Sequence, residues 1–175
     1  TGDELAHLRA AVRMMGLDRH VTFTGFVSGA DLPDHYRLCD TFVMPSTKEG
    51  FGIVFLEAAA CGKPENTGCL DGSYDAVDAG RLGILVDPHH PMQIAEAMHA
   101  ALTRTHPNRL LFQPAALSEA VWQSFGFEAF KKQLKGEVDT LLTRQKASRA
   151  AVVPLRAPQK ALAVPVERAP RVVVL

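Results

Sequence analysis

Three cysteines, Cys39, Cys61 and Cys69, make an odd number with no CxxC spacing, which excludes a disulfide framework as the source of stability. Cys39 and Cys61 lie in apolar surroundings and are expected as small core residues. No metal site is expected, and the adjacent His89-His90 pair, placed just after Asp87-Pro88, reads as a solvated turn. No apolar run approaches the roughly 20 residues that a membrane-spanning helix needs, and no charged-then-apolar leader is present, so a soluble, cytoplasmic protein is expected. Net charge is missing as well, because 19 basic and 19 acidic residues cancel. That balance hides an asymmetry: residues 144–175 carry plus six and residues 1–143 minus six. The basic segment has no aromatic side chains between its charges for base stacking and no amphipathic helix to lie on lipid. Nucleic acid is therefore not an expected partner, and peripheral membrane contact has no support. Pro154, Pro158, Pro165 and Pro170 break its short Ala/Val runs, so residues 144–175 are expected to be a disordered, inert tail behind a folded domain at 1–143.

Within residues 1–143, helical and strand patterns alternate. Leu5, Leu8, Val12 and Met15 have helical spacing behind an expected Asp3 cap, and Gly16 stops the run. A strand is expected at Val21 to Thr24, a short helix at Asp31 to Leu38 with Pro33 in its first turn, and a buried strand at Thr41 to Met44. A helix from about Ile53 to Ala60 follows, then a strand at Glu65 to Gly68, a short helix near Tyr74 to Val77, a strand at Ile84 to Val86 and a helix at Pro91 to Leu102. From Asn108 to Leu142 the apolar faces stay helical, divided at Gly126. This alternation predicts an α/β fold with a parallel, Rossmann-like sheet flanked by helices. Trp122, Phe127 and Phe130 are expected to pack on this same domain, the alternative being that these aromatic stripes lack a covering surface.

The stretch from Pro45 to Glu57 carries the chemistry. Glu49 and Glu57 stand eight positions apart across Gly50-Phe51-Gly52, which leads from an apolar strand into the apolar run Ile53 to Leu56. Glycines at a strand-to-helix crossing leave backbone amides free at a helix N-terminus, where phosphate binds well. Glu57 falls more than a turn inside that helix and Glu49 just before it. Carboxylates accept hydrogen bonds from vicinal hydroxyls, so the pair suits an extended ligand with a sugar at one end, a ribose at the other and a diphosphate between. Taken singly, Glu49 is more readily the acidic residue favoured beside a helix start, and Glu57 an exposed helix residue; the surrounding residues reverse that balance.

The neighbouring residues add a resemblance. Pro45-Ser46, Glu49-Gly50-Phe51-Gly52, Leu56-Glu57-Ala58 and Cys61-Gly62-Lys63-Pro64 resemble the retaining glycosyltransferases of family 4. The likeness extends through Val21 to Val27 and Tyr36 to Asp40 on one side, and Asp71-Gly72-Ser73 and Gly83 to Pro88 on the other. It covers roughly residues 1 to 103, and more weakly Phe125 to Phe130. It implies the C-terminal, donor-binding half of a GT-B fold. Carried over by residue, it implies Glu49 toward the donor sugar as the catalytic-site carboxylate, the backbone of Gly50, Phe51, Gly52 and Ile53 toward phosphate and sugar, and Glu57 toward the ribose. It implies a nucleotide-sugar donor, a hexose transferred from UDP or GDP, and no metal or other cofactor. It also implies an N-terminal acceptor lobe and a basic pair that neutralises the diphosphate, neither of which any residue here matches. The chain alone is thus expected not to turn over, the alternative being a non-catalytic remnant that serves as a ligand-binding or interaction module.

Three further segments are open at this stage. Asp71-Gly72-Ser73 lies after a strand end, where open α/β sheets bind ligands, and contacts donor or acceptor unless it is only a turn. Gly25-Phe26-Val27 borders the nucleotide base or is a plain strand exit. Glu65-Asn66-Thr67 is polar where a buried parallel strand calls for apolar residues, which predicts an exposed edge strand, a weakened fold or a local change particular to this chain, the weakened fold being favoured.

Overall fold

A computed structural model describes residues 2–150, with side chains through Arg144. The chain divides into two compact units, one ending at Lys132 and the other beginning at Gln133. In the first, helix α1 (Leu5–Met14) leads through an extended stretch to α2 (Leu32–Leu38), strand β1 (Phe42–Met44) and helix α3 (Ile53–Ala60). Strand β2 (Glu65–Gly68), helix α4 (Ser73–Ala76), strand β3 (Ile84–Val86) and helix α5 (Pro91–Leu102) follow. A 3-10 turn at Arg109–Phe112 leads into α6 (Pro114–Phe125), and α7 (Phe127–Ala150) begins after Gly126. The described part of the second unit is the remainder of α7 alone. Helix-forming Gln145, Lys146 and Ala147 carry it past Leu142, where the helical pattern is expected to end, and into the expected tail. The rest of the expected basic tail lies outside the described residues.

The sheet is parallel, in the order β1-β2-β3. Phe42, Val43 and Met44 pair with Glu65, Asn66 and Thr67, and Asn66, Thr67 and Gly68 with Ile84, Leu85 and Val86. Parallel strands joined through helices bring the carboxyl ends of β1 and β2 side by side, and the loops that follow them meet there. The core is built from Phe55 of α3, Val77, Leu82, Val86, Leu111 and Leu117, all essentially inaccessible to water. Phe42 links it to the second layer, edge-on to both Phe55 (6.0 Å) and Tyr36 (5.5 Å). Gly62 closes the turn after α3 at a positive φ and lies so near Pro114 that an added Cβ would stand 2.7 Å from the proline Cβ, which seats α6 against α3.

Several expectations need correction. Val21 to Thr24 is not a strand, because no described strand offers it a hydrogen-bonding ladder and three of its four residues are exposed. Asp3 does not cap α1; the cap position is Glu4, and no side chain there bonds the helix amides. Trp122, Phe127 and Phe130 do not pack into the domain, being 62%, 71% and 57% exposed.

The polar segment Glu65-Asn66-Thr67 is the middle strand, not an edge, and all three residues are fully buried. Asn66 donates to the Thr41 hydroxyl at 3.0 Å, but its own Oδ1, the Thr67 hydroxyl and both Glu65 carboxyl oxygens have no partner among the described residues. With no cation or donor beside it among the described residues, burial pushes the Glu65 carboxyl well above the usual range, which favours the neutral acid.

Candidate functional site

Gly52 takes a left-handed conformation, φ 91°, as the N-cap of α3. A side chain there would meet the Phe55 ring and, at 3.0 Å, Glu49 Cγ, so glycine alone lets the loop turn sharply into the helix. The first amide of α3 with a backbone acceptor is that of Phe55, which donates to the Gly52 carbonyl at 3.0 Å. The Ile53 and Val54 amides have no acceptor among the described residues and point out of the helix start. Gly50 is exposed, with no atom within 4 Å of where its Cβ would be, so a ligand can approach the backbone closely at that point. Phe51 anchors the turn by stacking edge-on with Phe125 of α6 at 5.9 Å.

Glu49 is half-buried just before this turn. Its N–H donates to Asp71 Oδ2 at 2.7 Å, and its carbonyl accepts from the Gly72 N–H at 3.0 Å. Asp71 Oδ1 in turn accepts from the Ser73 N–H at 3.0 Å and from the Ser73 hydroxyl. Partial burial raises the Asp71 carboxyl, but the hydrogen bonds donated by Ser73 and the Glu49 amide outweigh it and leave the group below the usual aspartate range. Asp71-Gly72-Ser73 is therefore in direct contact with the Glu49 loop.

Glu57 lies on the outer face of α3, where Oε2 accepts a 2.9 Å hydrogen bond from the Tyr36 hydroxyl. Desolvation, followed by this bond to Glu57, pushes the Tyr36 phenol well above its ordinary range and keeps it a donor. Glu57 lines two clefts: one of about 200 Å³ with Gly29, Leu32, Pro33, Tyr36 and Cys61, and one of about 280 Å³ with Leu56, Ala60, Val121, Trp122, Phe125 and Gly126. Glu49 borders neither. Gly25 lines a separate open groove shared with residues 2–8, and Phe26 beside it is 85% exposed. Sequence reasoning missed Tyr36 as a site residue, since its link to Glu57 spans 21 positions and two helices and leaves no local signal.

The parallel sheet flanked by helices is part of a GT-B fold. Residues 1–104 match the model of the family described as glycosyl transferases group 1, and the chain belongs to that family. Over 104 residues it is 38% identical to the GDP-mannose-dependent alpha-(1-6)-phosphatidylinositol monomannoside mannosyltransferase of Mycobacterium tuberculosis, a match covering 55% of this chain and 27% of the relative. Over 84 residues it is 39% identical to the mannosylfructose-phosphate synthase of Agrobacterium fabrum, covering 48% and 18%. Among solved structures it superposes on Anabaena Alr3699/HepE in complex with UDP, with a TM-score of 0.66, 26% identity and coverage of 79% of this chain and 37% of that one. Sucrose-phosphate synthase from Thermosynechococcus elongatus gives a TM-score of 0.65 at 29% identity, covering 82% and 35%. The chain thus spans about a quarter of the length of the first relative and about a third of the structural neighbours. Among the described residues no helix is long and apolar enough to cross a membrane.

Proposed function

We propose that this chain is the nucleotide-sugar-binding part of a retaining glycosyltransferase that moves a hexose from a UDP- or GDP-sugar to an acceptor. The observation that carries the proposal is the start of α3: Glu49 is pinned just before a left-handed glycine, and two helix amides beyond that glycine lack acceptors. Unpaired amides at a helix N-terminus complement a diphosphate, and developing negative charge on the departing phosphate is stabilised there. Glu49 orients the sugar ring for attack from the face of departure, and Glu57, steadied by Tyr36, accepts from the ribose hydroxyls. The mannosyltransferase relative is named for GDP-mannose, and Alr3699/HepE has been crystallised with UDP and with UDP-glucose, which supports a donor of this class.

Calorimetric titration with UDP, GDP, UDP-glucose and GDP-mannose tests the proposal. Binding of one nucleotide series, lost in Glu57→Ala while the circular dichroism spectrum is kept, is the expected result. Silence across the panel from folded protein refutes it and leaves the non-catalytic module.

A further inference from the structure

We infer that Asp71 is the positioning residue for Glu49: its carboxylate and the following Gly72 amide hold the two peptide groups that flank the Glu49 Cα and aim the Glu49 side chain at the donor sugar. The inference rests on the donor-site reading above and adds to it a residue that acts through Glu49.

Glu49 stands on a loop, flanked by exposed Thr47, Lys48 and Gly50, and a loop left to itself does not hold a side chain to the tolerance that ligand alignment requires. The restraint comes from the neighbouring strand. Because Met44 pairs with Thr67, the chains leaving β1 and β2 run side by side, and Gly68 packs against Ser46 so tightly that an added Cβ would stand 3.3 Å from the Ser46 nitrogen. Beyond that contact, Glu49 donates to Asp71 Oδ2, and the Gly72 amide donates back to the Glu49 carbonyl. The backbone is held on both sides of the Glu49 Cα. A side chain at Gly72 would collide with the Gly50 backbone and come within 2.9 Å of the Glu49 carbonyl oxygen, so the clasp requires glycine there.

Asp71 is itself immobilised. Ser73, fully buried, supplies two donors to Oδ1 and leaves Oδ2 facing the Glu49 amide. With the Glu49 and Ser73 amides and the Ser73 hydroxyl engaged on its two oxygens, this carboxylate serves the protein's own loops. Its influence on a donor passes through the orientation of Glu49.

Two measurements on the full chain test this. In amide proton–nitrogen spectra, the Glu49 and Ser73 amide shifts should move together as acid protonates Asp71, and both should lose that movement in Asp71→Asn. Glu49 contacts the sugar rather than the nucleotide, so Asp71→Ala and Asp71→Asn should weaken a nucleotide-sugar about tenfold or more, the scale of a lost charged hydrogen bond, while leaving the bare nucleoside diphosphate unchanged. The inference is overturned if the Glu49 amide ignores the titration. It is equally overturned if sugar-bearing and bare nucleotides weaken together, the signature of a merely structural loss. Wild-type protein that binds neither ligand sinks the donor site, and the positioning role with it, even where the amide titration shows the clasp intact.

Discussion

Replacing Glu65 by valine should stabilise the protein. Glu65 fills the centre of a parallel sheet, is fully buried, and offers two carboxyl oxygens that meet no donor and no cation. Two penalties add. The neutral acid leaves its hydroxyl and carbonyl unsatisfied, at a cost of roughly 1–3 kcal/mol. Keeping the proton costs more as pH rises, because the unfolded chain releases it near the ordinary glutamate value of about 4.3 while the folded chain retains it. The folded pKa is the raised one, so stability is greatest below the unfolded pKa and falls as pH climbs toward the folded pKa, by about tenfold in the folding equilibrium per unit. Valine removes both penalties in a strand whose partner residue is Phe42, so the gain is at least the roughly 1–3 kcal/mol of the unsatisfied groups and is larger at neutral pH than in acid. Urea unfolding followed by circular dichroism, for both proteins between pH 4 and pH 8, reads the difference. It should be smallest at pH 4, where only the unsatisfied groups count, and widen as pH rises above the unfolded value. A difference that stays flat, narrows with pH or favours the wild type would mean that Glu65 finds a partner, and the account of β2 would fail.

Phe55→Ala should cost about 3–5 kcal/mol, since the ring is inaccessible and touches both Phe42 and the core, and the loss is measurable in the same unfolding experiment. Gly52→Ala should both destabilise the chain, by about 1–3 kcal/mol for the left-handed conformation alone, and abolish donor binding in calorimetry, because the added carbon meets Phe55 and Glu49. Tyr36→Phe should weaken a nucleotide-sugar and the free nucleotide alike, by roughly 3- to 10-fold, as Glu57 loses the hydrogen bond that steadies it. Equal affinity in mutant and wild type would remove Tyr36 from the site.

What could be read from the letters alone was whatever local chemistry decides. Pro91 opens α5, Gly126 separates α6 from α7, and β2 and β3 lie where the sequence predicts them. The glycine turn before α3 was equally legible, because the backbone conformation at Gly52 is a property of that residue. Features that depend on a partner were not. Val21 to Thr24 has strand-forming side chains but no ladder among the described residues, and Trp122, Phe127 and Phe130 are large apolar rings that the described residues leave mostly exposed. The clasp between Asp71 and Glu49 spans 22 positions and exists because two parallel strands share a register, which no local pattern encodes.

Helix α1 buries none of its residues. Its contacts are confined to half-buried Leu5, Ala11 and Val12 and the Arg9 guanidinium over the Phe23 ring at 5.6 Å, and a ten-residue helix held so lightly is marginal in water, so its amides should open and exchange faster than those of the sheet. The first turns of the chain then unravel and re-form without disturbing the sheet, and a protease would nick them long before it reached the strands.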